Sequence, residues 1–487
     1  MKLLASKLAL FFPVLLIALC LCCTEKDQEA VKTPTQDETE PNVVATISDY
    51  TITKEELKKR FLKELHPHPL EFRSETETID AKSVLMKMIA EKAMVIEARK
   101  QNLHEEENFQ KVIKVFKEKK FVNLLLSIHL KGKMTVTDQE IDDKIKSDPK
   151  LDRARAKAML AREKSGKLVE LFYNELYQEF HVKKLNENFY KAANIHQRLL
   201  YQPKKPRSAP FIRISQTKEE LTQKEKDIVL ATYDKGTITL KDWFYTLCEM
   251  SPPSRPKDLN TPKGVEKLLD RALKMPIFIA QARLFGINKD ENILKQAREY
   301  GDSMLLNKAK RGKTKDIKGP INQEKLIAYF NKNKEVFGTQ NTLTIDQIWC
   351  QDLKTARKAK TDLDNGKDFE SVRQTFSLVK KANPYDISFG DERLFFKDLW
   401  NGEPNEVVGP LKGFYGTEMK WRIAKILEKK PGVLKEYSDD MKRNIEMKMI
   451  EEQRYTTLRK YRQELLEEYS YQIYAERIRD IDPLDIP

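Results

Sequence analysis

Histidine is scarce and confined to one end of the chain. All six residues, His66, His68, His104, His129, His181 and His196, precede position 197. His66 and His68 share the turn HPHP with no third ligand in view, so no metal and no cofactor are expected. Cysteine is as sparse: Cys20, Cys22 and Cys23 cluster near the start, and only Cys248 and Cys350 lie beyond. Two cysteines so far apart make no disulfide framework, and both are expected to be buried and unpaired. Long apolar runs are missing apart from MKLLASKLALFFPVLLIALCLCC. There Lys2 and Lys7 precede an apolar stretch, Leu8 to Leu21, that is short for a membrane span. That is the layout of a secretory signal, residues 1–22. No arginine-rich run and no basic stretch interleaved with aromatics is present, which argues against nucleic acid as a partner. The net charge of +14 is spread along helical segments, suiting an anionic membrane surface or acidic unfolded chains.

What is present is length and charge. A chain of 487 residues, 34% charged and with a mean hydropathy of −0.63, exceeds one core and implies several domains with long solvated helices. Where the apolar run ends, a cysteine followed by TEKDQEA resembles a bacterial lipoprotein processing site. Leu19 and Leu21 are poor neighbours for Cys20 and Cys22, so Cys23 is the expected lipid-bearing residue. Diacylglycerol there supplies the two acyl chains that stable anchoring requires. Residues 23–42 then read as a disordered tether. From Thr24 to Asn42 there are six acids, two lysines, two prolines and no aromatic, too little apolar surface to order the segment.

A short stretch recurs. ATISDYTIT at 45–53 returns as ATYDKGTIT at 231–239, with five of nine positions identical. Helical patterns follow both, KEELKKRFLKEL and LKDWFYTLCEM, each ending in proline punctuation. Two long amphipathic segments come next, carrying the pairs Ala98-Arg99 and Ala282-Arg283. VTDQEIDDKI then answers INQEKLIAYF, and EFHVKKLNENF at 179–189 aligns with EYSYQIYAERI at 468–478 at a constant offset of 289. Such order and spacing mark a duplicated module. The first module is placed at 43–200, the proline-rich YQPKKPRSAP marks the boundary, and the second module begins at 211 and runs to 340. An insert occupies 341–432, and 433–487 supply a C-terminal helix and edge strand expected to complete the second module. Phe61, Phe121, Tyr173, Phe180, Trp243, Phe244 and Phe278 fall on helical faces and are expected mostly in the cores.

The insert opens with a strand around Leu343, Ile345 and Ile348. A helix follows over Lys354–Asn365 to Gly366, then a second helix over Lys367–Phe376, and strands at Glu406–Leu411 and Trp421–Leu427. This opening, the NGKDFESV turn, the run GEPNEVVGP at 402–410 and the closing RIAKILE resemble the parvulin-type peptidyl-prolyl isomerase domain. ATISDYTITKEEL and YFNKNKEVF are similar to the helical chaperone regions of SurA- and PrsA-like extracytoplasmic foldases. The resemblance implies an α+β, mainly helical fold, with two related SurA-N-like helical modules, the second interrupted by a parvulin-like α/β domain. It implies a helical cradle for unfolded or nascent exported polypeptides, an isomerase (rotamase) domain acting on Xaa-Pro bonds, and a place in the periplasm or at the cell surface.

Parvulins generally carry two histidines in the reactive network, and the insert has none. Gln347 stands where the first is expected and Arg422 near the second, while Asp386 partly matches the family's polar Asp or Cys. Leu394, Phe395 and Phe396 are expected to line an apolar proline pocket. Cys350 has no histidine to activate it, and Ser377 has neither a base nor an elbow motif. The leading expectation is a membrane-anchored chaperone acting by binding, with a weakly active or inactive parvulin-like domain. The alternatives are a working isomerase that tolerates the missing histidines, and a surface lipoprotein scaffold or adhesin.

Overall fold

The computed structural model describes residues 41–65, 80–204, 210–392, 394–416 and 418–481. The signal segment, Cys23, nearly all of the tether and the HPHP turn lie outside them.

The first repeat opens with β1 (Val43–Ile47), β2 (Tyr50–Thr53) and α1 (Lys54–Leu65), followed by α2 (Ala81–Lys100) and α3 (Glu107–Leu130). It ends with α4 (Asp138–Ser147), α5 (Arg153–Glu179), β3 (Lys183–Lys184) and α6 (Phe189–Tyr201). Two short helices, α7 (Ile214–Glu220) and α8 (Gln223–Lys226), lead into the second repeat. There β4 (Val229–Tyr233), β5 (Gly236–Thr239), α9 (Leu240–Glu249), α10 (Pro262–Leu284) and α11 (Glu291–Thr314) repeat the opening order, followed by α12 (Gln323–Lys332) and α13 (Lys334–Phe337). The insert contains β6 (Thr342–Cys350), α14 (Leu353–Asp364), α15 (Phe369–Phe376), β7 (Tyr385–Ser388), α16 (Phe389–Glu392), α17 (Leu394–Trp400), β8 (Val407–Tyr415) and β9 (Glu418–Lys430). The chain closes with α18 (Lys442–Glu468) and β10 (Tyr471–Ile473). The fold is α+β and mainly helical.

The two openings match in detail. β1 pairs with β2 and β4 with β5, each with a register shift after the strand's first residue, at Val43/Ala45 and at Val229/Ala231. The closing threonine of each hairpin starts the following helix. Thr53 Oγ1 accepts from the Glu56 N–H and Thr239 Oγ1 from that of Asp242, while each acid reaches back to the threonine N–H. This reciprocal cap satisfies helix donors that otherwise lack partners.

The closing strands are exchanged between the repeats, which corrects the expectation that 433–487 complete the second module. β10 pairs with β1, placing Ile473 opposite Ala45 and Gln472 opposite Thr46. β3 pairs with β4, placing Lys184 opposite Ala231 and Lys183 opposite Thr232. Equivalent side chains repeat the exchange: Asn188 Nδ2 donates to Val229 O at 2.9 Å and Arg477 Nη1 to Val43 O at 2.7 Å. The cause is α3 and α11, each about 36 Å long at 1.5 Å per residue. α3 leaves α2 to pack on α10 and α11, whereas α11 leaves α10 to pack on α2. Each repeat's second half is thereby carried onto the other's first half.

Two main cores result. One gathers Ile47, Ile52, Leu57, Phe61, Leu85 and Ile89 with Tyr461, Leu465 and Ile478 from the C-terminus. The other gathers Phe121, Leu125, Phe172 and Leu176 with Ile238, Trp243, Phe244, Leu269 and Phe278. All seven aromatics expected on helical faces are buried. A buried charge cluster ties the repeats together: Glu91 on α2 meets Lys310 of α11 at 2.7 Å and Arg60 of α1 at 3.2 Å.

The insert is an antiparallel sheet in the order β7-β6-β9-β8. Ile348, Cys350 and Ile423 pack with Ala356, Ala359 and Val372 of α14 and α15 on one face. Leu343, Ile345 and Ala424 meet Phe396 and Leu399 of α17 on the other. No described helix is long and apolar enough to cross a membrane.

Candidate functional site

Gln347 and Arg422 lie on the α17 side of the insert's sheet. β6 and β9 run antiparallel with Trp349 opposite Arg422 and Gln347 opposite Ala424, so Gln347 and Arg422 meet. Arg422 Nη1 donates to Gln347 Oε1 at 3.1 Å, and Gln347 Nε2 donates to the Tyr385 hydroxyl at 2.6 Å. The remaining capacity of the guanidinium goes mainly to Glu392, through Nη1 at 2.9 Å and Nη2 at 2.6 Å. Trp349 covers it, with the guanidinium carbon 5.2 Å from the ring centroid. Gly413 leaves the space this requires, since a Cβ there would lie 2.6 Å from the guanidinium.

The centre is closed except at Tyr385, which is over a third exposed. Arg422 is fully buried, and Glu392, Trp349 and Gln347 are each buried to over nine-tenths. Burial, helped by the Glu392 charge, raises the Tyr385 phenol and keeps it protonated. A cation and a carboxylate neutralising each other at two hydrogen bonds form a stable pair, so Arg422 and Glu392 offer an entering amide no unpaired charge.

The other expected site residues are dispersed. Asp386 lies on the opposite face of β7 from Tyr385, accepting from Thr344 Oγ1 at 2.6 Å and 3.9 Å from Lys430. It takes no part in the centre. Phe395 and Phe396 do not line an open pocket, because both are buried in packing. Phe396 stacks on Trp400, whereas Phe395 meets Phe414 edge-on at 5.5 Å and joins the core built around β1 and α1. Their apolar surface closes the insert and docks it. Leu394 opens α17, and its side chain lies outside the described residues. Cys350 is buried and its thiol is pushed up to about 11 by burial. Ser377 Oγ accepts from the Trp349 and Val379 N–H groups, a loop-fixing role.

Sequence reasoning missed Glu392, Tyr385 and Arg373. Arg373, on α15, is the insert's second buried arginine, donating to Gln347 O at 2.8 Å and pairing with Asp346 and Glu370. The available signal was an arginine inside an apolar strand, which demands a nearby acid.

Open space lies elsewhere. A groove of about 1460 Å³ is bounded by α3, α5, α9 and α10. Tyr173, Tyr177, Tyr233 and Tyr245 line it, with Val115 and Met275 among the exposed apolar contributors. Burial raises the phenols of Tyr173, Tyr177 and Tyr233, so these hydroxyls remain protonated; that of Tyr173 already donates to Asp270 O at 3.4 Å, which leaves Tyr177 and Tyr233 as the donors toward the groove. Charges at its edges are largely paired, Lys184 with Glu266 and Asp270 at 2.8 and 2.7 Å and Lys274 with Glu170 at 2.5 Å.

No protein-family model matches the chain. A Bacillus subtilis (strain 168) protein, provisionally named peptidyl-prolyl cis-trans isomerase YacD, is 24% identical over 202 residues, covering 37% of this chain and 67% of the relative. Among solved structures, a SurA-like chaperone from Campylobacter jejuni, from work on PEB4 and Cj1289, is 14% identical with a TM-score of 0.24, covering 50% of this chain and 98% of its own. The peptidylprolyl isomerase PrsA of Bacillus anthracis is 17% identical with a TM-score of 0.21, covering 37% and 79%. The chain is thus similar to SurA-like chaperones and PrsA-type isomerases.

Proposed function

We propose that the chain is an extracytoplasmic chaperone, lipid-anchored through Cys23, that holds unfolded or proline-containing polypeptides, while its parvulin-like domain serves architecture more than catalysis. The tyrosine-lined groove carries this reading. It pairs apolar surface with hydroxyl donors, which suits extended chains whose side chains are apolar and whose carbonyls lack partners. The buried Arg422–Glu392 pair supports the second half, since catalysis requires groups that stabilise a twisted amide more than a planar one.

The test uses residues 24–487 with a chemically unfolded client. Suppression of client aggregation at near-stoichiometric ratio is expected, with proline isomerisation at the uncatalysed rate. No suppression would return the chain to a scaffold or adhesin, and a clear isomerisation rate would make it an enzyme.

A further inference from the structure

The outer side of α14 carries more cations than acids, the N-cap Asp352 near Lys354 being the acid at its start. Lys354, Arg357 and Lys358 follow an i, i+3, i+4 spacing and border a shallow depression of about 650 Å³ that Leu353 and Phe376 help to line. All three cations are exposed, and the acid that shares the lining, Asp362, is held by Lys367 at 2.8 Å. Just beyond Phe376 the chain turns outward, leaving Leu378 and Val379 exposed, followed by exposed Lys380 and Lys381. The depression offers a polypeptide backbone little, because its one hydroxyl, on Thr361, already donates to Arg357 O at 3.0 Å.

We propose that this face docks on an anionic phospholipid surface. Leu378 and Val379 enter the headgroup boundary while the surrounding lysines and Arg357 meet lipid phosphates. Exposed aliphatic side chains ringed by basic ones bind such interfaces through buried apolar area plus attraction to anionic lipid. The inference rests on the extracytoplasmic placement proposed above but needs no acyl chain.

The test is co-sedimentation of residues 24–487, which lack Cys23, with vesicles of phosphatidylcholine alone or mixed equally with phosphatidylglycerol. Binding is expected only to the mixed vesicles and weakens as salt is raised. Reversing the cations with Lys354→Glu, Arg357→Glu and Lys358→Glu should lower vesicle affinity about tenfold or more. Leu378→Ser with Val379→Ser should lower it while preserving the salt dependence. Three reversals elsewhere, Lys131→Glu, Lys150→Glu and Lys157→Glu, serve as the matched control and should change it far less. Unfolding midpoints of all variants establish that the fold is intact. Equal losses in both reversal sets, or no binding to the mixed vesicles, would overturn the proposal. Capture of a polyglutamate peptide by this face without vesicle binding would overturn it in favour of a protein partner. Because the protein tested carries no Cys23, failure of lipidation leaves these outcomes untouched.

Discussion

The Arg422 guanidinium and the Glu392 carboxylate meet through hydrogen bonds of 2.9 and 2.6 Å inside a region closed to solvent. Removing one member of such a pair strands a buried charge and costs about 3–5 kcal/mol, whereas replacing both with apolar groups costs much less. Glu392→Ala should therefore destabilise the chain strongly in urea unfolding, and Glu392→Ala combined with Arg422→Met should recover a large part. If the double variant is as unstable as the single one, the pair is not what holds the centre together.

The exchanged strands make a second expectation. With a protease site placed between residues 204 and 210, cleavage should leave both halves in one particle on size-exclusion chromatography at low denaturant. Each fragment supplies strands and helices to both cores. Separation of the halves after cutting would contradict the exchange.

His196 gives a pH dependence. Burial first, then the nearby Arg255 charge, lowers it to about 4, against about 6.5 when unfolded. The fold favours the neutral ring, so this contribution is complete above about pH 6.5 and is lost as pH falls toward about 4. At most roughly 3 kcal/mol is involved. Wild type should lose more stability between pH 7.5 and pH 4 than His196→Leu does. Parallel losses in the two proteins would exclude the histidine as the cause.

In the groove, Val115→Glu and Met275→Glu place charge where apolar client surface is expected to lie. Both residues are over a third exposed, so stability should change by about 0.5 kcal/mol or less. Aggregation suppression should fall several-fold. Undiminished suppression would move the client site out of the groove.

Anchoring has its own readout. Cys23→Ser should shift the exported protein from the detergent phase to the aqueous phase, and Cys22→Ser should not. Aqueous partitioning of the unaltered protein would rule out the lipid anchor.

The duplication was legible because its signals are local. A threonine cap, a bulged hairpin and an amphipathic helix are written within a few residues of one another, as at Thr53 and Thr239. The partners of the closing strands were not legible. β-pairing joins backbone to backbone, and Ala45-Thr46 and Ala231-Thr232 offer a closing strand the same ladder. The choice was made by α3 and α11, long helices whose direction no short motif encodes. In the insert, facing strands bring Gln347 and Arg422 together. Phe395 was misread because an aromatic bound for an interdomain core has the same sequence appearance as one lining a pocket. Glu392, in the run FGDE, carries no local sign of burial.

The two equivalent backbone contacts differ greatly in span. Asn188 and Val229 are 41 positions apart, whereas Arg477 and Val43 are 434 apart. As the chain emerges from its N-terminus, the core around Trp243 has all its parts once α10 and the helix after it have emerged. The segment from Val43 to Lys100 emerges earlier, yet it must wait for nearly the last residue before its sheet is complete. Folding during N-to-C emergence thus proceeds from the middle outward, and the earliest part delivered is the last to be sealed. Closing so distant a contact is slow, and apolar surface stays exposed meanwhile. For a protein of this topology, the vulnerable interval during its own synthesis lasts until β10 arrives.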